Sequence, residues 1–558
     1  MHGDGAPGRL ALLLAPFVDN ARNADLRRAQ LSFAAAWSAE WAFTVALSVV
    51  AFRDGGPAAV GLVAAARLLP SAVAAPLLLP FTDRFRRERV LATVSGVRAL
   101  ATAGAAAVVA TGGPPWAVYA AAIAATLVGT LFRPVHSALL PSLCHRPHEL
   151  AGANAVRGLL DSLAVLVGPA VAAVLLHVQG LTAVFVATAL GSATSAVLVL
   201  RVRSESPARA AGAVAGGLAA DLLRGIRVIV RDRDLATLIG LGAVQTVVRG
   251  ALTVFSVVVA IDVLDAGDPG VGVLTAAVGA GAVFGSIAVA RLVRTRRLAR
   301  WFGIGIALWG APLVLVGLTS SLPVACLLLA VVGLGNALVD IGLFTLLARL
   351  SDEDMSARVF GVLEGVAALG VATGSLLAPG LIRWVGVRPA LAAIGTLAPV
   401  AVVMAWSRLR VLDRSLVVRE DAIDLLRAVP MLRSLSLPLI EQLARHLSPV
   451  EVAAGQLVFA QGDPGDRFYV IRNGAADVVG DGTTVRALVA GDGFGEIALL
   501  RDVPRTASVR ATAPLLLEAL DRHSFLHVVT GYRPSAHQAA ADVQAKLEWF
   551  TPTEPTAP

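Results

Sequence analysis

Long apolar runs follow one another along residues 30–408, separated by short polar connections. A helix needs about 20 mainly apolar residues to cross the hydrocarbon core of a bilayer, and twelve runs meet that requirement. They lie near residues 31–52, 58–81, 90–110, 115–140, 156–177, 181–201, 235–263, 270–292, 301–319, 322–348, 359–381 and 386–407. The sequence therefore predicts a twelve-helix bundle with the lipid bilayer as its partner.

Arginines are concentrated in every second connection between these runs. Examples are Arg84, Arg86, Arg87 and Arg89, then Arg201, Arg203 and Arg209, then Arg291, Arg294, Arg296, Arg297 and Arg300. The other connections hold few cations, and the exceptions are Arg53, Arg383 and Arg388. Because arginine and lysine accumulate on the cytoplasmic side, we expect a multi-pass protein of the cell (plasma or inner) membrane with both termini cytoplasmic. The net charge of +8 is thus assigned to topology, and nucleic acid is not an expected partner.

Lysine is nearly absent, and this restricts the energy source. The single lysine, Lys546, lies between Ala545 and Leu547. A phosphate-binding loop of the Walker type needs a Gly-Lys-Ser/Thr sequence, so the sequence excludes an ATP-driven pump of that kind. No catalytic residues, metal ligands or cofactor site are predicted, and we do not expect an enzyme.

Composition changes after residue 408, where the apolar excess ends. The predicted organisation is a cytoplasmic lead-in (1–29), a membrane domain (30–408), a linker (409–421), a second domain (422–550) and a tail (551–558). The membrane domain divides into halves at 30–201 and 235–408, because the basic connection after the second run recurs six runs later.

Several motifs in the membrane domain resemble those of the major facilitator superfamily. The connection Thr82–Arg89 contains Asp83, Arg84 and Arg87 and is similar to that family's cytoplasmic loop signature, although Leu79 replaces its usual glycine. The sequences Phe132-Arg133-Pro134 and Gly168-Pro169 are similar to its drug-exporter and enterobactin-exporter branches. The resemblance implies a secondary active transporter, an exporter working by proton antiport, that binds a small-molecule substrate between its two halves.

Ionisable residues inside membrane helices are costly and usually face a cavity. The main candidates for transport or coupling are Glu40, Arg67, Arg133 and Asp340, with Arg249 and Glu364 as further ones. A buried carboxylate at Glu40 could take up a proton as a cation leaves. The alternative is that these residues are paired structural charges.

The second domain has the pattern of a β-roll flanked by helices. Helical periodicity covers residues 420–447, short alternating strands with glycine turns cover Val450–Asp521, and helix returns over Arg522–Phe550. The expected fold is therefore an all-α membrane protein of two six-helix bundles, plus a C-terminal α+β domain with a β-roll, or jelly-roll.

The segments Phe494–Leu500 and Pro504–Val509 resemble the phosphate-binding cassette of cyclic-nucleotide-binding domains. This resemblance implies a regulatory ligand, cyclic AMP or cyclic GMP, bound by residues of both segments: Gly495, Glu496, Ile497, Ala498, Arg505, Thr506 and Ala507. Arg505 offers a charged planar fork for the cyclic phosphate, and Glu496 can accept from the ribose 2′-hydroxyl. Thr506 is a hint of cyclic GMP, and Ser535–Glu548 is the expected lid over the base. The alternative is a domain without ligand that serves as a homodimerisation module.

Three functions are compatible with the sequence. The first is an exporter regulated by cyclic nucleotide. The others are a membrane-anchored cyclic-nucleotide receptor whose bundle does not transport, and a lipid-moving protein of the same fold.

Overall fold

The computed structural model describes residues 22–82, 85–144, 147–203, 218–292, 297–350, 353–415, 420–433, 435, 437–531 and 533–547. Asp83 and Arg84 of the predicted loop motif, and the tail 551–558, lie outside the described residues. The chain divides into two compact units, Met1–Ser415 and Leu416–Pro558, called here the membrane unit and the C-terminal unit.

Every regular element among the described residues of the membrane unit is a helix. Its helices are α1 (Ala24–Thr82), α2 (Arg87–Ala110), α3 (Pro115–Gly129), α4 (Phe132–Leu143), α5 (Pro147–Val178), α6 (Leu181–Leu200), α7 (Leu218–Arg231), α8 (Arg233–Val258, continued by a π-helix over Val259–Val263), α9 (Gly267–Leu292), α10 (Leu298–Val316), α11 (Leu322–Leu350), α12 (Glu353–Val385) and α13 (Val387–Ser415).

Eleven helical stretches among the described residues are long and apolar enough to cross a membrane. The first of them, in α1, contains two crossings, because Gly55 and Gly56 have non-helical backbone angles and divide the helix. Gly56 has φ +63°, in the left-handed region that glycine adopts without a steric penalty. The bundle therefore has the twelve crossings that the sequence predicts.

The crossings alternate in direction, so their connections lie at two ends of the bundle. The kink end holds Gly55 and Gly56, and the linker end holds residues 201–203, at the end of the first half. Close packing joins the halves near the kink end. A Cβ on Gly61 would lie 2.1 Å from the carbonyl oxygen of Ser375, and one on Gly272 would lie 2.7 Å from that of Pro169. Side chains at these two glycines would force the halves apart.

Helix α13 extends further than the apolar run predicts. The sequence places a linker at 409–421, but residues 409–415 continue the helix and Glu420 begins the next one. The extension is stabilised by burial of Leu409 and Leu412. Asp413 also accepts hydrogen bonds from the backbone N–H of Ala299 at 2.7 Å and from Arg300 Nε at 2.6 Å.

The C-terminal unit is a β-roll of two antiparallel four-stranded sheets. Its elements are α14 (Glu420–Ala428), a 3-10 turn (Pro430–Leu432), α15 (Leu437–His446), β1 (Ser448–Val452), β2 (Leu457–Phe459), β3 (Arg467–Asn473), β4 (Ala476–Gly480), β5 (Thr483–Leu488), β6 (Gly493–Phe494), α16 (Glu496–Arg501), β7 (Ser508–Ala511), β8 (Leu515–Asp521), α17 (Arg522–Gly531) and α18 (Arg533–Leu547). The strand orders are β1-β8-β3-β6 and β2-β7-β4-β5. Both parts of the predicted fold are thereby confirmed.

Two apolar cores hold this unit together. One lies between the sheets and includes Ile471, Val509 and Leu517. The other joins the flanking helices to β3, where the rings of Phe468 and Phe525 stack with centroids 4.6 Å apart. The short helix α16 follows β6 after a single residue, Gly495, and its first residue, Glu496, is buried.

Candidate functional site

A pocket opens in the C-terminal unit between α16, the segment before β7 and the end of α18. It contains about 490 Å³ of non-atom space, open solvent at its mouth included. All seven residues that the sequence assigns to nucleotide binding line it: Gly495, Glu496, Ile497, Ala498, Arg505, Thr506 and Ala507. The structure thus brings both sequence segments to one cavity.

Arg505 lies at the base of this pocket and is held in place from several sides. It is 3% exposed, and its guanidinium donates to the carbonyl oxygens of Gly495 and Arg467, each at 2.8 Å. The guanidinium also lies 4.1 Å from the ring centroid of Phe459, at cation–π distance. Its Nε is buried and has no hydrogen-bond partner among the described residues, so one donor is left for an anion in the pocket.

Gly495 is required next to this arginine. Its φ is +90°, and a Cβ there would lie 2.7 Å from Arg505 Nη1. Any side chain would therefore be strained and would push the guanidinium out of position.

Glu496 is the first residue of α16 and is 1% exposed. Its Oε1 accepts from Lys546 Nζ at 2.8 Å, whereas its Oε2 is buried without a hydrogen-bond partner among the described residues. A buried carboxylate oxygen without a partner costs free energy. Oε2 is therefore suited to accept a hydrogen bond from a hydroxyl group of a ligand.

Charge in the pocket is shaped by burial. Burial lowers the pKa of Arg505, opposed by nearby groups that include Asp466 and Glu496. For Lys546, burial acts to lower the pKa, but the carboxylates of Glu496 and Asp542 outweigh it and the pKa is raised. The lining of the pocket thus contains the guanidinium of Arg505 and the ion pair of Lys546 with Glu496.

In the membrane unit, Glu40 lies between two arginines. Its Oε1 accepts from Arg67 at 2.8 Å, and its Oε2 accepts from Arg98. Arg67 is also bonded to the hydroxyl of Thr126 at 2.8 Å, and both guanidiniums are buried. This cluster, the Glu40 clamp, joins the first three crossings of the bundle to α3.

Four other charged side chains meet between the halves. Arg133 lies 3.5 Å from Asp161 and stacks over Trp37. The charge of Asp340 interacts with those of Arg249, Arg133 and Asp161, and its carboxylate accepts from Asn336 at 2.8 Å. Arg133, Arg249 and Asp340 are solvent-accessible although they lie within membrane-spanning segments. We call Arg133, Asp161, Arg249 and Asp340 the central charge cluster.

Arg53 is one of the arginines that break the orientation rule. In the structure it forms an ion pair with Asp268, at the start of α9, so that the two halves are linked at the kink end. Close by, the hydroxyl of Tyr119 donates to Asp54 at 2.8 Å. At the opposite end, the loop-motif residue Arg87 donates to the carbonyl oxygen of Ala138 at 2.7 Å.

Sequence reasoning missed Arg98, Asp161 and the role of Lys546. Arg98 and Asp161 lie in mainly apolar runs, and a search for every ionisable residue at bilayer depth would have found both. For Lys546, only the folded position of α18 reveals the partner, because 50 residues separate it from Glu496.

Comparison with known proteins identifies both parts of the chain. The family model described as "Major Facilitator Superfamily" matches residues 31–362 and 247–458, and the one described as "Cyclic nucleotide-binding domain" matches residues 449–532. A solved structure of a mutant of the nucleoside transporter NupG is similar to this chain, with 12% sequence identity and a TM-score of 0.58. The similarity covers 70% of this chain and 100% of the NupG chain. At that identity the likeness shows the fold alone.

The C-terminal unit is similar to regulatory subunits of cAMP-dependent protein kinase. The subunit from Eremothecium gossypii is 44% identical over 103 residues, which are 18% of this chain and 22% of that protein. The subunit from Schizosaccharomyces pombe is 41% identical over 103 residues, covering 18% and 25%. The chain thus spans about a quarter or less of the length of these relatives. Together with the twelve-crossing bundle and the β-roll, these matches show that the chain belongs to the major facilitator superfamily, as a multi-pass membrane transporter with a C-terminal cyclic-nucleotide-binding domain.

Proposed function

We propose that this protein is a proton-coupled exporter whose transport cycle is regulated by cyclic AMP or cyclic GMP bound to its C-terminal unit. The observation that carries the regulatory part is the pair of unused polar atoms in one pocket, Arg505 Nε and Glu496 Oε2. A cyclic phosphate beside the guanidinium and a ribose hydroxyl on the carboxylate would use both. The similarity to subunits named as cAMP-dependent supports cyclic AMP first.

The central charge cluster supports the transport part. The charges of two arginines and two aspartates from both halves interact within membrane-spanning segments, and ionisable side chains at such depth usually mark a substrate or ion path. A receptor whose bundle serves only as an anchor would have no use for them. Among the candidates, we propose Asp340 as the carboxylate that exchanges a proton, since Glu40 is bound on both oxygens by arginines.

The ion pair of Arg53 with Asp268 supports a state in which the kink end is closed. With the basic connections placed in the cytoplasm, that end faces outward and the central charge cluster is reached from inside. An exporter loads its substrate in such a state.

Replacement of Asp340 by asparagine is expected to abolish proton movement coupled to substrate. Wild-type protein in liposomes with an internal pH dye and an imposed pH gradient should change the internal pH when a substrate from a panel of organic cations and anions is added. Cyclic AMP or cyclic GMP should alter the rate. The matched control is Asp262→Asn, an exposed carboxyl group of the π-helix that continues α8, which should leave coupling intact. A wild-type protein that gives no response across the panel would favour the receptor function.

A further inference from the structure

The two carboxylate oxygens of Glu496 have different surroundings. Oε1 is bound by Lys546 and Oε2 is buried without a partner among the described residues. A carboxylate with both oxygens free could rotate and offer either one. Here the bond to Lys546 fixes the rotation and leaves Oε2 for a ligand.

Lys546 is itself fixed by contacts that leave its ammonium little freedom. Nζ donates to the carbonyl oxygen of Gly493 at 2.8 Å, and the carboxylate of Asp542 lies 3.5 Å away, one turn earlier in α18. The side chain is 15% exposed. An ammonium has three donors, and these three oxygens surround it, so it bridges β6, α16 and α18.

We propose that Lys546 is a positioning residue for ribose recognition: it fixes the orientation of the Glu496 carboxylate so that Oε2 accepts a hydrogen bond from the 2′-hydroxyl of the bound nucleotide. This inference rests on the proposed function of the pocket. Without Lys546, a carboxylate that is 1% exposed would lose its nearest counter-charge and would turn towards Arg505. That rotation would weaken it as an acceptor for the ribose hydroxyl.

The arrangement also links the ribose to the lid. Lys546 belongs to α18, so the same ammonium that orients Glu496 ties this helix to β6 and α16. A nucleotide whose 2′-hydroxyl strengthens the Glu496 contact therefore binds more tightly when α18 is in place. By linkage, it also stabilises α18 in that place to the same extent.

The test compares ribonucleotides with their 2′-deoxy analogues on the full-length protein in lipid nanodiscs, by calorimetric titration. A hydrogen bond to a charged acceptor contributes about 1.5–3 kcal/mol, so the wild type should prefer cyclic AMP over 2′-deoxy cyclic AMP by roughly tenfold or more. In Lys546→Met this ratio should fall below about threefold, since little of that bond remains. The same comparison is made for cyclic GMP and its 2′-deoxy analogue.

The ratio of ribonucleotide to 2′-deoxynucleotide affinity separates positioning from a purely structural effect. If α18 were merely loosened, both nucleotides of a pair would bind more weakly by the same factor. Gln544→Met, on an exposed position of α18 that contacts Arg501, is the matched control and should keep the wild-type ratio. Lys546→Arg, which keeps a donor for Glu496, should recover part of it. An unchanged ratio in Lys546→Met, or tighter binding of the ribonucleotide, would overturn this inference and leave the proposed function standing. A wild type that binds neither ribonucleotide would overturn both.

Discussion

Full-length protein with Arg505 replaced by alanine is expected to bind cyclic AMP or cyclic GMP at least about tenfold more weakly than the wild type, since even one hydrogen bond to a charged acceptor contributes roughly 1.5–3 kcal/mol. The guanidinium is buried at the base of the pocket beside an unused donor. Alanine removes both the charge and the planar fork that a cyclic phosphate needs. Calorimetric titration in nanodiscs gives both dissociation constants directly.

Arg505 also bridges the carbonyl oxygens of Gly495 and Arg467, so its loss could disturb the fold of the pocket. Circular dichroism and thermal unfolding of the variant show whether the C-terminal unit remains folded. Arg505→Lys keeps the charge without the fork and should bind with intermediate affinity. Arg510→Ala removes an exposed arginine of β7 and should bind as the wild type does. Binding by Arg505→Ala that is within about threefold of the wild type, less than the loss of one such bond, would remove Arg505 from the site.

Replacement of Glu40 by glutamine is expected to lower the free energy of unfolding of the membrane unit by about 3–5 kcal/mol, the range seen when one partner of a buried ion pair is removed. The neutral side chain would leave Arg67 and Arg98, 8% and 3% exposed, without their shared counter-charge. The change is measured as a shift in denaturant or thermal unfolding of the detergent-solubilised protein.

Glu364→Gln removes a carboxylate of the same unit whose side chain is exposed, and it should change stability by less than about 0.5 kcal/mol. If Glu40→Gln unfolds like the wild type but loses coupled transport, Glu40 is a coupling residue and the clamp is not its main role. That outcome would support the coupling role that the sequence predicts for Glu40. Loss of stability with coupling retained would confirm the structural role.

The twelve crossings were predictable because bilayer thickness imposes a minimum apolar length, which each run satisfies independently of its neighbours. The β-roll was predictable because its strands alternate and its turns need glycine, as at Gly462, Gly474 and Gly491, all with positive φ. The extension of α13 over residues 409–415 was not. Its stability comes from burial of Leu409 and from the bonds between Asp413 and the start of α10, and such contacts are decided by tertiary packing.

The residues that line the pocket of the C-terminal unit could be predicted from sequence more fully than the contacts of the charged residues in the bundle. Glu496 and Arg505 lie in short segments whose local pattern carries their geometry, so a resemblance located them. The charged residues of the bundle have no such local pattern. Glu40 was expected to be a coupling group because a carboxylate alone in an apolar run is costly, but two distant arginines supply its partners. The roles of Asp340 and Arg133 likewise depend on which helices face each other between the halves.

Regulation requires that nucleotide bind the C-terminal unit with different affinity in different states of the bundle, since a ligand with equal affinity for two states shifts nothing. The two units are joined through residues 416–419, immediately after α13. Asp413 near the end of that helix holds the start of α10. A displacement of the end of α13 would therefore also displace the start of α10 in the same half.

The most direct test of nucleotide regulation needs no transported substrate. Spin labels are placed at Trp116 and Leu318, exposed positions at the kink end in different halves, after Cys144 and Cys326 are replaced by serine, and the distance between the labels is measured by pulsed electron paramagnetic resonance in nanodiscs. Saturating cyclic AMP or cyclic GMP should change the populations of the distance distribution, and the Arg505→Ala variant should show no change. A distribution that stays the same in a wild type shown to have bound nucleotide would contradict the account, because the C-terminal unit would then bind its ligand without acting on the transporter.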